Sequence, residues 1–446
     1  MRGLLQDAFA GVDMEDSIPN EDAGQKLYPN CEENKLAAVV HLFHLKCLNG
    51  WSNKSFTQLL EYLSFLLLEG NVLPKSYSET KKIIRSLGLS YEKIHACPND
   101  CMLFWKDKAN DDLCSKCGAS RWIVNTNIEE DSIDCTMKKK KPKAAKILRW
   151  FPLIPRLQRL YMSSKTASLM RWHDEERTKD GLIRHPADSL AWKHFDEKYP
   201  DFAVDPRNLR LGLASDGFNP FNPGNKIDIY MQPLIEELQQ LWDVGIETFD
   251  ASKGERFQLR AALLWTINDS PARAMLSGWS TRGEKACPCC GYNTESMWLY
   301  HSRKYCYMGH RRWLDRRHSY RHDKKSFDGN KELRMPPGRI SESKILSHAD
   351  NVNIMEGESS QPLIKISIFF TLPYWQHNLL PHNIDMMHTK KNVFDNTYGT
   401  ITDQDGKTKD NYKARCDLQD MGLRADLHPN QDQAITLSCC PKLVIK

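Results

Sequence analysis

Residues 209–220, LRLGLASDGFNP, decide how the chain is interpreted. Their apolar run has the pattern of a buried strand, and it ends in an isolated carboxylate, Asp216, which Gly217 follows. An acid at the end of a strand suits a divalent metal, because the sheet holds its backbone while its side chain reaches a cleft. The stretch therefore predicts the first carboxylate of a metal site.

Two further carboxylates have comparable settings. A second apolar run, 259–271 (LRAALLWTINDSP), closes on Asp269, and Asp385 lies in HNIDMMH at 382–388. Three dispersed carboxylates are what two-metal phosphoryl transfer requires, so Asp216, Asp269 and Asp385 are the predicted catalytic residues. The alternative for Asp385 is an ordinary carboxylate at the start of a helix.

The composition sets broad limits on the class of protein. A chain of 446 residues is too long for one compact core and predicts two or three domains. With 40% hydrophobic and 27% charged residues it is polar for a globular enzyme, which favours long loops or disordered segments. No apolar run approaches the length of a membrane span, and the N-terminus turns acidic before a signal-peptide core develops. We therefore expect a soluble, intracellular protein.

The net charge of +5 is mild, but positive charge is concentrated locally. MKKKKPKAAK at 137–146 fits a nuclear localisation signal, a phosphate-contacting arm or an ordinary solvated linker. Segment 147–181 interleaves arginines with aromatic rings, which suits nucleic acid, although an amphipathic helix with snorkelling arginines fits equally. The cluster HRRWLDRRHSYRHDKK at 310–325 is denser and predicts DNA contacts. Its predicted DNA-binding residues are Arg311, Arg312, Arg316 and Arg317.

Most of the 14 cysteines fall into close pairs with metal-ligand spacing, which favours bound zinc in a reducing compartment over disulfides. The first set has the pattern C-x3-C-x12-C-x2-C and consists of Cys97, Cys101, Cys114 and Cys117. Two knuckles at this spacing can close four thiolates around Zn²⁺, and such a site is structural because no position stays open for water. The alternative is four free, buried cysteines.

A second set has the pattern C-x2-C-x15-C-x3-H and consists of Cys287, Cys290, Cys306 and His310. This spacing also predicts structural zinc, with Cys289 and His301 as alternative ligands. The set follows Asp269 in the sequence and leads into the arginine cluster. The alternative is a zinc-stapled loop that has no partner.

Several blocks of sequence resemble one known family, the plant transposases of the CACTA (En/Spm-like) superfamily. They include LASDGFNPF, QPLIEELQQLW, ALLWTIND, LSGWSTRGEKACPCC, GHRRWL and HNIDMMHTKKNVFDN, and the similarity runs over nearly the whole chain, from Leu27 to Pro429. The resemblance implies a ribonuclease-H-like (DDE-type) domain in which Asp216 ends the first strand and Asp269 the fourth. Both would bind Mg²⁺ or Mn²⁺ for cleavage of element ends and strand transfer.

The same resemblance implies partners and a compartment. The partners would be DNA, as the terminal inverted repeats of the element and as target DNA, a second element-encoded DNA-binding protein, and a second copy of the chain. No membrane partner is expected, and the resemblance favours the nuclear interpretation of the lysine run at 137–146.

Together these features predict a mixed fold of the α+β or α/β class. The expected segments are a disordered 1–26, a helical module 27–92, a zinc-binding module 93–125, a basic linker 126–147, a basic and aromatic helical region 148–208, a ribonuclease-H-like domain 209–400 with a zinc insertion 284–325, and a truncated C-terminal segment 401–446.

Three departures from the family predict that this copy is catalytically impaired. NPGNKIDIY at 222–230 enters a helix at once, where relatives carry a longer stretch that supplies the second and third strands. Lys390 stands where relatives often have an acid, which is the alternative to Asp385 as the third ligand, and the resemblance fades after 426–432. We therefore expect no third carboxylate to complete a compact cluster. An active strand-transfer enzyme, a zinc-stabilised DNA-binding remnant and an unstable fragment are the three hypotheses that remain.

Overall fold

The computed structural model describes residues 25–84, 91–123, 142–215, 226–280, 282–287, 290–338, 365–404 and 406–429. The predictions for Asp216, for the Cys289 alternative and for most of the disordered and basic-linker segments lie outside these residues. The chain divides into two compact units. Unit 1 comprises residues 1–210 and 229–262, and unit 2 comprises residues 211–228 and 263–446.

The helices of the described residues are, in chain order, α1 (Lys35–Leu48), α2 (Asn53–Leu66), α3 (Tyr77–Ile84), α4 (Leu153–Arg159), α5 (Ser164–Leu169), α6 (Trp172–Glu175), α7 (Leu190–Lys198), α8 (Pro200–Ala203), α9 (Ile227–Asp243), α10 (Ser270–Ser277), α11 (Ser319–His322), α12 (Met386–Ile401) and α13 (Tyr412–Asp420). None of these helices combines the length and the apolar character that a membrane span requires.

The strands of the described residues are β1 (Glu92–Ala96), β2 (Leu103–Phe104), β3 (Lys146–Trp150), β4 (Leu209–Ser215), β5 (Ile246–Asp250), β6 (Glu255–Leu259), β7 (Ala261–Asn268), β8 (Ser296–Leu299), β9 (Lys304–Tyr307) and β10 (His382–Ile384). Helices and several small sheets alternate along the chain, so the predicted mixed α+β class is confirmed at this level.

Unit 1 begins with three packed helices. Asn34 caps α1 and Ser52 caps α2, each accepting a backbone amide of the first turn with its side-chain oxygen. The apolar face of α2 buries Phe56 and Leu60 completely, and these residues pack with Leu27 and Leu73.

A small antiparallel sheet follows the helices in unit 1, in the order β2-β1-β3. Its register pairs His95 with Phe104 and with Ile147. Ile94 and Ala96, which share one face of β1, are buried, whereas Glu92 and Lys93 at the start of the strand are exposed. The sheet leads directly into the first cysteine set.

The rest of unit 1 is built around the hairpin β5–β6. Asp250, at the end of β5, is fully buried and accepts hydrogen bonds from Arg171 (3.3 Å) and Ser252 (2.6 Å). Arg207 lies 3.7 Å from the same carboxylate and also pairs with Glu255. Because a buried carboxylate without partners would be very costly, this network holds the hairpin in place.

Unit 2 contains a sheet in the order β10-β7-β4. β10 runs parallel to β7, with His382 opposite Thr266 and Ile384 opposite Asn268. Along β4 and β7 the contacts advance in the same direction, since the Leu209 amide donates to the Arg260 carbonyl and Gly212 abuts Trp265 further along. This is the behaviour of a parallel pair. Within the described residues β4 has one neighbour and is an edge strand.

Candidate metal centres and nucleic-acid surface

The first cysteine set comes together as the sequence predicts. The four sulfur atoms of Cys97, Cys101, Cys114 and Cys117 all lie within 4.8 Å of one another. Two tight turns place them: the Cys97 amide donates to the Met102 carbonyl (3.0 Å), and the Cys114 amide donates to the Ala119 carbonyl (2.9 Å). The C-x3-C and C-x2-C spacings are therefore two facing knuckles.

The geometry of this set fits a zinc ion. Thiolates about 2.3 Å from a tetrahedral Zn²⁺ lie about 3.8 Å apart, and the sulfur atoms of Cys97 and Cys117 are separated by 3.5 Å. The Asn99 amide donates to the Cys97 sulfur (3.4 Å), an orientation that stabilises a thiolate. Cys97 and Cys114 are almost completely buried. The group can hold Zn²⁺ in a closed, structural site.

Crowding of the four sulfur atoms splits their acidities. Burial and hydrogen bonding to Cys117 and Cys97 raise the pKa of Cys101 to about 12. The backbone amide of Ala119 and the side chain of Asn99 instead lower the pKa of Cys117 to about 6. The Cys117 thiol therefore ionises readily, and its negative charge disfavours ionisation of the neighbouring thiols. A bound dication would compensate these charges.

A buried acid joins this centre to the rest of unit 1. Asp100 lies in the first knuckle with φ +55° and is 3% exposed. Its carboxylate contacts both the Lys146 ammonium of β3 and the Tyr230 hydroxyl of α9. Burial and the hydrogen bond to Asp100 raise the pKa of Tyr230, so its hydroxyl stays protonated and donates. Sequence reasoning missed Asp100, because nothing local marks its distant partners.

The ligand atoms of the second cysteine set do not converge on one point as those of the first set do. Within the described residues, no three of its four ligand atoms lie within 4.8 Å of one another. The Cys290 amide donates to the Cys287 sulfur (3.4 Å), as in a knuckle, but Arg312 donates to the Cys290 sulfur (3.4 Å). The Cys306 sulfur lies 3.9 Å from that of Met308. Zinc at Cys287, Cys290, Cys306 and His310 stays a prediction.

Two of the three predicted acids lie at one edge of the sheet in unit 2. Asp269 follows β7 and Asp385 follows β10, and the Asp385 amide donates to the Asn268 carbonyl (2.8 Å). The carboxyl ends of parallel strands meet at the same edge, and Asp269 and Asp385 follow two such neighbouring strand ends. Ser215, which precedes the third acid, is the last described residue of β4.

Both carboxylates also cap helices. Asp269 accepts the Ala272 amide (2.8 Å) at the start of α10. Asp385 accepts the Met387 amide (2.7 Å) at the start of α12 and pairs with the His388 imidazole (2.8 Å). The hydrogen bond from His388, and then that from Met387, lower the pKa of Asp385, so it is ionised at neutral pH. The helix-start role and the metal-ligand role are therefore compatible.

A buried polar chain supports this edge of the sheet. The Asn268 amide group donates to the Thr266 hydroxyl (2.7 Å), which lies 2.8 Å from the His382 imidazole. Burial, and then the charge of Arg273, lower the pKa of His382 to about 3, so its ring is neutral. The chain links β7 to β10 just before Asp269 and Asp385. The apolar run that forms β7 was recognised in the sequence, but its pairing with β10 was not.

The arginine cluster divides into buried and exposed members. Arg312 is 6% exposed and bonds to Glu295 and to the Asn293 carbonyl. Arg311 bonds to Asp328 (2.7 Å) and to backbone carbonyls, and it lies over the Phe327 ring. Both guanidinium groups are thus engaged internally, and phosphate contact by Arg311 and Arg312 stays a prediction.

The exposed members are Arg316 and Arg317, together with Lys324 and Lys325. Arg321, from the same stretch, is 2% exposed and donates to four backbone carbonyls, including those of Glu332 and Leu314. The density of arginines in the sequence therefore reflects both a structural scaffold and a charged surface. DNA contact by the cluster stays a prediction that now rests on its exposed residues.

Residues 180–352 match the transposase family tnp2, in two segments, 180–222 and 222–352. The match includes Asp269 and the arginine cluster but covers less than half of the chain. No curated protein and no solved structure matches the chain. A transposase acts on DNA, so the match supports both a transposase family and DNA as the partner.

Proposed function

We propose that the chain is a transposase-derived, DNA-binding protein of the CACTA type, stabilised by zinc and impaired in catalysis. Its ancestral activity is metal-dependent DNA cleavage and strand transfer by a ribonuclease-H-like, DDE-type domain. The observation that carries the proposal is the parallel sheet β10-β7-β4, in which Asp385, Asp269 and Asp216 each directly follow a strand.

Strand order supports the ribonuclease-H-like interpretation. The resemblance to the family makes β4 the first strand and β7 the fourth, and β10 would then be the fifth. Their adjacency in the order 1-4-5 supports this interpretation, because Asp385 and Asp269 directly follow the two neighbouring strands β10 and β7. The long helix α9 follows β4 in the chain, as the first helix of such a domain does.

The acids present fit a divalent cation. In Asp269 and in Asp385, one carboxylate oxygen accepts the helix-capping hydrogen bond. Carboxylate oxygens keep further lone pairs for a metal. Mg²⁺ or Mn²⁺, when bound, would activate a water or a 3′-hydroxyl for attack on a phosphodiester. The chain itself contributes orientation: His388 positions Asp385, and the bond from Asp385 to the Asn268 carbonyl sets the spacing of the two strand ends.

Three observations support impairment. β4 is an edge strand within the described residues, where the family would place a second strand beside it. The match to the family is divided into two segments at residue 222, which is where the resemblance implies a longer stretch in relatives. Lys390, on the exposed side of α12, brings a cation where relatives carry an acid. An edge strand holds its terminal residue less firmly, and two-metal chemistry needs carboxylates about 4 Å around the ion pair.

The second candidate function is DNA binding without any catalysis. The first cysteine set is compatible with this function, because the group that could hold zinc shares no residue with the acids of the sheet. Both candidates imply the nucleus as the compartment, supported by the lysines of 137–146. They also share the element ends and target DNA as partners. A second element-encoded protein and a second copy of this chain are further candidate partners.

DNA affinity should depend on the exposed arginines. Replacing Arg316 and Arg317 by alanine is expected to reduce the slope of log affinity against log salt by about 2, since each phosphate contact contributes about 0.9. The measurement is fluorescence anisotropy with a labelled duplex over a series of salt concentrations.

The matched control removes two positive charges elsewhere, with Arg256→Ala and Lys54→Ala, both at exposed positions. It should leave the slope nearly unchanged. An equal change in both double variants would show that only net charge matters. An unaltered slope in the Arg316 and Arg317 variant would point to segment 147–181 instead.

A further inference from the structure

A second group of metal-ligand atoms lies in unit 2, and it shares no residue with the first cysteine set or with the acids of the sheet. It consists of His301, Asp417 and Asp420, whose ligand atoms all lie within 4.8 Å of one another. His301 lies in the turn between β8 and β9, and the two aspartates lie on α13. Three residues apart, they occupy the same face of that helix.

Asp417 is held in a single orientation before any ion binds. It is 3% exposed, and its two oxygens accept the amides of His301 (2.9 Å) and Ser302 (3.0 Å). Burial alone would raise the pKa of Asp417, but the hydrogen bonds from Ser302 and His301 outweigh it and lower that pKa. The carboxylate is therefore ionised at neutral pH, and each oxygen keeps a lone pair for a cation.

The other two ligands are open to solvent. The side chain of His301 is 45% exposed and that of Asp420 is 58% exposed, so an ion has access. Their Nε2 and Oδ2 atoms are 3.1 Å apart. Nitrogen and oxygen ligands about 2.0–2.2 Å from a tetrahedral Zn²⁺ lie about 3.3–3.6 Å apart, so little movement is needed.

The donor set indicates the class of ion. One imidazole and two carboxylates suit Zn²⁺, and also Mn²⁺ or Co²⁺, whereas softer ions select sulfur ligands. Two carboxylates this close repel each other. A bound dication neutralises both of these negative charges. Three protein ligands leave a fourth position for water.

We propose that His301, Asp417 and Asp420 form a divalent transition-metal site that fastens the β8–β9 hairpin to α13. This site is independent of the proposed function, because it shares no residue with the acids of the sheet or with the first cysteine set. It also gives His301 a different role from that of an alternative ligand for Cys287, Cys290 and Cys306.

The experiment measures zinc bound per chain in the full-length protein after equilibrium dialysis against a fixed micromolar concentration of free Zn²⁺. His301→Ala and Asp420→Asn should each lose about one equivalent relative to the original protein. Both changes are at exposed positions, and circular dichroism checks that the variants remain folded. Asp426→Asn is the matched control, because Asp426 is an exposed aspartate that pairs with Arg424; it should keep all bound zinc.

A thiol-reactive reagent separates this site from the cysteine sets. The number of thiols that zinc protects should be the same in His301→Ala and in the original protein. Zinc content that is unchanged in both variants overturns the proposal. His301 and Asp420 would then form only an ion pair, and Asp417 would only accept the amides of the turn. Loss of zinc together with newly reactive thiols also overturns it, because His301 would then serve the second cysteine set.

Discussion

Replacing Cys114 by serine is expected to release one equivalent of zinc and to unfold residues 95–122. Cys114 is 2% exposed and is one of four sulfur atoms that together can hold the ion. A structural zinc site contributes about 10–16 kcal/mol of apparent binding free energy, which the segment gains only when folded. Its own apolar cluster is small: Met102 and Phe104 pack with the cysteines and with Ala119.

Atomic absorption and amide hydrogen exchange measure the two effects. Cys47→Ser is the matched control, because Cys47 is an exposed cysteine of α1 outside both sets. It should change neither the zinc content nor the exchange of residues 95–122. Zinc content that is unchanged in Cys114→Ser would show that the four sulfur atoms do not bind zinc.

Replacing Gly278 by alanine is expected to destabilise unit 2 by about 4 kcal/mol or more. Gly278 ends α10 with φ +74°, a conformation that costs an L-residue about 1–2 kcal/mol. In addition, a Cβ at this position would lie 2.0 Å from the Lys365 carbonyl oxygen. Because backbone must move to relieve that overlap, α10 would shift, and Asp269 caps its other end.

Gly283→Ala measures the cost of a positive φ alone, so the difference between the two variants gives the steric part of the effect. Gly283 also has a positive φ, +92°, but nothing lies within 4 Å of a Cβ built there. It should cost only about 1–2 kcal/mol. Thermal unfolding of both variants gives the comparison, and equal losses of stability would mean that the close approach of Lys365 is not present in solution.

The sequence predicts the features that are set by local spacing. Four cysteines separated by three, twelve and two residues admit few arrangements, and they do come together. The apolar runs that end at Ser215 and Asn268 form the expected strands, because a run bounded by an acid and by Gly or Pro has few alternatives.

The parts that the sequence does not predict depend on distant contacts. Nothing in the sequence around Arg312 distinguishes it from Arg316, yet one guanidinium is buried against Glu295 and the other is exposed. Asp417 is 116 residues from His301, and no periodicity connects them. Long-range pairing of this kind is decided by packing, for which a single sequence carries no local signal.

The central claim is that the chain binds DNA as a transposase does but no longer cuts it, and a nicking assay tests it most directly. Purified full-length protein is incubated with supercoiled plasmid DNA in Mn²⁺, beside the Asp269→Asn variant. The account predicts that both proteins retard the plasmid equally and that neither produces nicked circles above the protein-free background. Nicking by the original protein that is lost in Asp269→Asn would contradict the claim of impairment and would establish an active, metal-dependent nuclease.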